Sequence, residues 1–141
     1  MFLQPKKTKF EKMFKGKNKG VATKGTRVSF GIFGLCSLEN SRISARQIEA
    51  ARKSINNFLK RTGKLWIRIF PDRSVTKKPI EVRQGKGKGS VAYWAALVKK
   101  QTMLFELAGV SLDNAKRAFY LASSKLPVKT SFRYKDDNKY E

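Results

Sequence analysis

The sequence has no histidine and a single cysteine, Cys36. Without a second cysteine it cannot form an intramolecular disulfide, and without histidine it lacks both the usual Cys/His zinc ligands and the commonest general base. Cys36 ends the apolar run Phe33 to Cys36, which is typical of a small buried side chain and not of a nucleophile. These absences disfavour an enzyme, and we expect no metal, no cofactor and no small-molecule substrate.

Acidic residues and long apolar runs are also scarce. No stretch reaches the roughly 18 consecutive apolar residues of a membrane span, and the N-terminus lacks the apolar segment of a secretory signal. The 32 Lys and Arg outnumber the 10 Asp and Glu, which gives a formal charge of +22. Because such a charge opposes folding unless a polyanion neutralises it, the expected partner is nucleic acid.

Between Arg83 and Ser90 the chain concentrates charge on little side-chain bulk, in the order Arg-Gln-Gly-Lys-Gly-Lys-Gly-Ser. The segments Pro79 to Val82 and Val91 to Val98 on either side are strand-like, so this run is predicted to be a loop between two strands. Alternate glycines permit positive φ and close backbone approach, and the lysines add ammonium groups that suit phosphate. The candidate contacts are Arg83, Gly85, Lys86, Gly87, Lys88 and Gly89.

Two nucleotide-cofactor interpretations of this loop fail. A Walker-type loop and a dinucleotide fingerprint each open a helix, whereas Ser90 begins a predicted strand. A solvated hairpin tip with lysines for solubility stays open as the simpler alternative.

Residues 1–27 are predicted to form an extended basic arm that orders on RNA. Nine Lys and Arg face one acid, Glu11, and three glycines break any helix. The alternatives are a disordered solubilising tail and a transit peptide, although the segment is lysine-rich and has no serine before Ser29. The candidate contacts in the arm are Lys6, Lys7, Lys9, Lys12, Lys15, Lys17, Lys19 and Arg27.

A first helix is predicted from the capping box Ser44 to Gln47 up to Gly63. Its apolar face comprises Ile48, Ala51, Ile55, Phe58 and Leu59, and its outer face carries Arg46, Arg52, Lys53, Lys60 and Arg61. Because only the Glu49 to Lys53 spacing pairs an acid with a base, we expect a mostly unpaired basic ridge with Arg46, Arg52 and Lys53 as candidate contacts.

Strands are predicted at residues 28–35, 64–70 and 91–98, with residues 103–107 as hairpin partner of the last and 126–132 as an edge strand. In residues 64–70, Leu65, Ile67 and Ile69 face the core. The other face carries Trp66, Arg68 and Phe70, which suits RNA stacking with Arg68 as a contact or, more simply, further core.

A second helix is predicted from Ser111 or Leu112 to Lys125, with Leu112, Ala115, Phe119 and Ala122 on its apolar face. Together the patterns predict an α+β fold, with two helices on one side of a mainly antiparallel sheet. The arm (1–27) and the Gly-Lys loop project from a globular domain (28–132), and a charged tail (133–141) should fray.

Several separate motifs resemble the bacterial-type family of large-subunit ribosomal protein sixteen. They span about Phe2 to Phe132 and are Gln4 to Phe10, Val28 to Gly31, Ser44 to Ala50, Trp66 to Asp72, Gly85 to Gly89, Tyr93-Trp94 and Leu126 to Thr130. The chain departs from the family pattern at Gln84, where methionine is usual, at Phe14, where histidine is frequent, and by one residue near Thr23-Lys24.

The resemblance implies a non-enzymatic, α/β-hammerhead-like protein folded on large-subunit rRNA. It also implies that the arm and the Gly-Lys loop reach toward the peptidyl-transferase region and the aminoacyl-site tRNA, with neighbouring ribosomal proteins as further partners. A free nucleic-acid-binding protein or RNA chaperone is the competing function. The richness in Phe, Lys, Asn and Ile, and a start close to that of the family, favour a mitochondrial, organelle-encoded protein over a plastid or bacterial one.

Overall fold

A computed structural model describes residues 3–135, and the remaining residues at both termini lie outside this description. The elements in chain order are β1 (Phe33–Ser37), β2 (Ser41–Ser44), α1 (Ala45–Leu59), β3 (Lys64–Ile67), β4 (Arg73–Lys77), β5 (Ser90–Val98), β6 (Met103–Ala108), α2 (Leu112–Ser123) and β7 (Thr130–Tyr134). All pairings between these strands are antiparallel. The predicted α+β class is confirmed.

The strands form two sheets and not the single sheet that was predicted. One sheet has the order β3-β6-β1-β7 and the other the order β2-β5-β4. The predicted hairpin between β5 and β6 is therefore wrong. In the connection between them, Gln101 adopts a left-handed φ of 69° and donates its N–H to the Ser37 carbonyl at 2.7 Å, which directs the chain into the other sheet.

Several strand boundaries also differ from the prediction. The strand expected from Val28 begins at Phe33, because the N–H groups just before it bind a carboxylate instead of a neighbouring strand. Pro79 to Val82 form a turn in which the Val82 N–H donates to the Pro79 carbonyl at 3.2 Å, and the strand before the Gly-Lys loop is β4. β2 was not predicted, and β3 ends at Ile67, before Phe70.

Helix α1 begins as its sequence predicts. The Gln47 N–H donates to Ser44 Oγ at 3.2 Å, and the Ser44 N–H donates to Gln47 Oε1 at 3.0 Å, so both halves of the capping box form. The helix ends at Leu59, before the predicted end, because Lys60 and Arg61 adopt left-handed φ values of 50° and 64°. Of the predicted apolar face, four side chains are buried and Phe58 is exposed.

The core lies where the two helices meet both sheets. α1 and α2 pack on each other, α1 also contacts β2 and β5, and α2 contacts β1 and β7. Ile69 is buried and Leu65 and Ile67 pack against this core, as predicted for that face. Cys36 is buried, as expected.

Two predicted C-terminal boundaries also shift. α2 ends at Ser123 and not at Lys125, and Leu112 at its start is exposed. β7 is an edge strand, as predicted, but it begins at Thr130 and not at Leu126, and it includes Arg133 and Tyr134, which were assigned to the tail. The rest of that tail, from Asp136, lies outside the described residues.

Candidate nucleic-acid interface

The Gly-Lys loop connects β4 to β5, whose last paired residues are Lys77 and Ser90. Gly85, Lys86 and Gly87 all have positive φ, of 96°, 58° and 93°. No atom lies within 4 Å of a Cβ built on Gly85 or Gly87, so backbone conformation and not crowding is the reason for glycine there. The loop is therefore a left-handed turn whose tip stands clear of the body.

The base of the loop is closed by a residue that the sequence did not single out. Lys78 donates its ammonium to the Gly85 carbonyl at 2.5 Å. Gly89 is needed for close approach, since a Cβ there would lie 2.9 Å from the Lys77 carbonyl oxygen. Arg83, Lys86 and Lys88 remain exposed. Nothing in the spacing of Lys78, which precedes Pro79, distinguished it from a solvated lysine.

The basic arm runs along the body and meets the loop. Lys12 donates its ammonium to the Lys88 carbonyl at 3.2 Å, and Arg73 approaches Met13 Sδ at 3.4 Å. Asn18 Nδ2 then donates to the Ser41 and Val98 carbonyls at 3.2 and 2.9 Å. The arm and the loop thus contact each other through the Lys12–Lys88 hydrogen bond.

All of the candidate basic residues of the arm are exposed: Lys6, Lys7, Lys9, Lys12, Lys15, Lys17, Lys19 and Arg27. Within residues 3–135, the ion pairs join Arg52 to Glu49 and Arg68 to Glu106, so the charges of these arm residues have no carboxylate within ion-pair distance there. Phe10 and Phe14 stand exposed among them, and Phe14 keeps 95% of its surface. Together with Lys88, Phe10 and Phe14 line an open groove of about 680 Å³.

One of the three candidate cations on the α1 ridge is already paired with a carboxylate. Arg52 donates two hydrogen bonds, of 2.8 and 2.5 Å, to the Glu49 carboxylate, whereas Lys53 had been predicted as the partner of Glu49. The hydrogen bond from Arg52 is the main reason that the pKa of Glu49 is lowered. Arg46 and Lys53 stay exposed and border a groove of about 1080 Å³ that Tyr93 and Trp94 line from β5.

Arg68 is held by a carboxylate that the sequence analysis missed. Glu106 in β6 is fully buried, and its oxygens accept the N–H groups of Ser29 (3.1 Å), Phe30 (2.6 Å) and Gly31 (2.8 Å) as well as the Arg68 guanidinium. Burial would raise the pKa of Glu106, but these hydrogen bonds outweigh it and lower the pKa. The signal in the sequence was a lone acid within the apolar run Met103 to Leu107.

Four side chains beside this carboxylate form what we call the aromatic-cation ladder: Lys64, Trp66, Phe30 and Arg68. The Phe30 and Trp66 rings stack with centroids 6.3 Å apart and planes 20° from parallel. Arg68 Cζ lies 5.0 Å from the Phe30 centroid, and Lys64 Nζ lies 5.1 Å from the Trp66 centroid. The stacking face predicted with Phe70 is instead completed by Phe30, from the segment before β1.

Other kinds of site find no support in residues 3–135. They contain no group of His, Cys, Asp and Glu side chains that could hold a metal ion. In this part of the chain neither helix is both long and apolar enough to cross a bilayer.

The structure thus defines an α+β protein that presents exposed cations on a loop and an arm. Residues 5–133 match the model of the family described as Ribosomal protein L16p/L10e. The chain belongs to this family; it is a structural protein of the large ribosomal subunit and not an enzyme.

Similar proteins come from bacteria. The chain is 57% identical over 133 residues to a protein of Dichelobacter nodosus named "Large ribosomal subunit protein uL16", an alignment that covers 94% of this chain and 97% of the relative. It is 56% identical over 130 residues to a protein of the same name from Buchnera aphidicola, with 92% and 95% covered. The expectation of a mitochondrial, organelle-encoded protein is therefore unsupported, and these bacterial relatives speak against it.

Proposed function

We propose that the chain binds large-subunit rRNA through its arm, its Gly-Lys loop and the α1 ridge, and that the loop helps to shape the aminoacyl-tRNA site near the peptidyl-transferase centre. The observation that carries this proposal is the contact between the Lys12 ammonium and the Lys88 carbonyl. It joins two basic segments, 76 residues apart in sequence, into one exposed cationic surface. A phosphate backbone is the ligand that suits such a surface.

The individual contacts follow from exposure and pairing. Lys86 and Lys88 offer ammonium groups at a turn whose glycines permit close approach, and Arg46 and Lys53 add charge on α1. We exclude Arg68 from the phosphate contacts, because its guanidinium already binds Glu106. Gly85, Gly87 and Gly89 act through the backbone that they allow, and not through a side chain.

Salt dependence of rRNA binding tests the phosphate contacts. Log affinity falls linearly with log salt, and the fall is steeper when more phosphates are neutralised. A triple substitution in the arm (K6A/K7A/K9A) and one in the loop (R83A/K86A/K88A) should each make this slope shallower by about 2 to 3, since each removes three cations. The matched control K116A/K125A/K129A removes the same charge from α2 and the segment after it, and should leave the slope unchanged. Equal slopes for all three variants would reject the proposed surface.

The role near the aminoacyl-tRNA site needs a separate measurement. Subunits assembled with R83A/K86A/K88A should retain the protein, because the arm and α1 still bind, and should be slower in tRNA accommodation or peptide-bond formation. Full incorporation with a normal rate would reduce the loop to a solvated hairpin. The competing free RNA chaperone predicts that the protein stays soluble when large subunits are pelleted at moderate salt, whereas we expect it in the pellet.

A further inference from the structure

The aromatic-cation ladder is an exposed aromatic surface that is nevertheless held in place. Phe30 keeps 60% of its surface open, yet its ring is stacked on Trp66 and lies 5.0 Å from Arg68 Cζ. An exposed phenylalanine without fixed neighbours would be free to change rotamer. Here the ring has a defined orientation in the free protein.

The buried carboxylate of Glu106 holds two members of the ladder, Phe30 and Arg68. Glu106 binds the backbone N–H of Phe30 at 2.6 Å and also the Arg68 side chain, so it positions two of the four members at once. A ligand that uses the ladder would not have to order it first, and pre-organisation of this kind lowers the entropy cost of binding. Because Glu106 neutralises Arg68, the remaining free charge beside the rings is that of Lys64.

We propose that the ladder stacks one unpaired base of large-subunit rRNA, with Lys64 near its phosphate. This inference rests on the proposed rRNA binding and adds a second, separate contact, since the ladder borders β3 in the four-stranded sheet while the Gly-Lys loop belongs to the other sheet. Aromatic faces take up unpaired bases of any sequence, and the free ammonium of Lys64 beside the rings favours a polyanion over an apolar peptide.

The fluorescence of Trp66 provides a direct test. The chain has two tryptophans, so W94F leaves Trp66 as the single tryptophan, and excitation beyond the tyrosine absorption band selects its emission. The probes are an octamer of adenylate and an abasic octamer, which has the same phosphates without bases. We expect the adenylate octamer to quench Trp66 and the abasic octamer to leave its emission nearly unchanged.

Substitutions of Phe30 then separate stacking from charge. F30A and F30L should each weaken binding of large-subunit rRNA about tenfold without changing the salt slope, and F30Y should restore it. F30L removes the ring but retains apolar bulk. If F30A fails to fold, F30L therefore still tests the loss of stacking. The matched control is Y120A, which removes a similarly exposed ring with its own arginine contact, 5.4 Å from Arg117 Cζ, that stacks on no other ring within residues 3–135.

Three results would overturn the inference: unchanged rRNA affinity in F30A and F30L, equal quenching by both octamers, or a loss of incorporation into subunits with unchanged rRNA affinity. The last would assign the ladder to a neighbouring protein. If wild-type protein fails to bind rRNA at all, the proposed function itself fails. If it binds and Phe30 is dispensable, only the ladder is refuted.

Discussion

Replacing Glu106 by glutamine should destabilise the fold far more than an ordinary surface change. The carboxylate accepts three backbone N–H groups and one guanidinium while fully buried. A glutamine keeps one carbonyl oxygen but turns an NH₂ group toward these donors, so at least one N–H group loses its acceptor and Arg68 loses its counter-charge.

The size of the effect follows from these losses. Breaking a buried ion pair from one side costs about 3 to 5 kcal/mol. The Arg68 side chain keeps 18% of its surface exposed and regains some hydration, so we expect the lower end, about 3 kcal/mol. For a chain of this size that corresponds to a melting temperature lower by about 10 °C.

Urea unfolding followed by circular dichroism measures this difference. E49Q is the matched control, because it makes the same chemical change in a partly exposed pair on α1, in which Glu49 keeps 18% of its side-chain surface and Glu106 keeps none, and it should cost only about 0.5 kcal/mol. If E106Q proved as stable as E49Q, the central role of the Glu106 carboxylate in holding residues 29–31 would be refuted.

The same carboxylate predicts a pH dependence. The pKa of Glu106 is lowered in the folded protein, so the unfolded state takes up its proton first as the pH falls. The stability that Glu106 contributes is complete above its ordinary pKa of 4.5 and is lost as the pH falls through the lower folded value. The stability gap between wild type and E106Q should therefore close in acid; a gap that stayed constant down to pH 2 would contradict this assignment.

Three smaller perturbations test other parts of the fold by urea unfolding. S44A removes the N-cap of α1 and should cost about 1 kcal/mol, a loss that S44T should largely avoid. G31A should cost at least about 2 kcal/mol, because its Cβ would lie 2.5 Å from the Leu107 carbonyl oxygen. In G87A the added Cβ has no atom within 4 Å, so the only cost is the strain of an alanine at a φ of 93°. We expect the free energy of unfolding to fall by about 1 kcal/mol, and a larger loss than for G31A would contradict this reasoning.

The parts of the fold that the sequence predicted correctly depend on neighbours along the chain. The capping box places Ser44 and Gln47 three residues apart, and the alternate glycines Gly85 and Gly87 supply the positive φ values of the turn after Arg83. In both cases the residues that make the structure are also those that carry the pattern. Periodicity then identifies most of the buried face of α1.

The parts that could not be predicted depend on distant segments. Division of the strands into two sheets follows from the Gln101 N–H bonding to Ser37, 64 residues away in sequence, and a strand pattern carries no information on its partner. Likewise the sequence analysis assigned Ser29, Phe30 and Gly31 to a strand. Their backbone N–H groups instead bind the side chain of Glu106, 75 to 77 residues further on, which the local pattern does not indicate. For the same reason the sequence analysis placed Trp66 and Arg68 on one face but did not include Phe30 in the ladder. The hydrogen bond from the Phe30 N–H to Glu106 brings this ring to that face.

Within the candidate interface, the lysines that matter for loop geometry differ from those that remain free. Lys78 and Lys12 direct their ammonium groups to the Gly85 and Lys88 carbonyls, which are the negative ends of the loop's peptide groups. With these oxygens covered by cations, the outer surface of the loop offers ammonium and N–H groups to an incoming anion. Mutual repulsion among the cations is thereby reduced without any carboxylate, and a carboxylate would have to be displaced before phosphate could bind. An interface built in this way suits a polyanion, which is why we propose RNA as the ligand of the loop although its tip resembles a solvated hairpin.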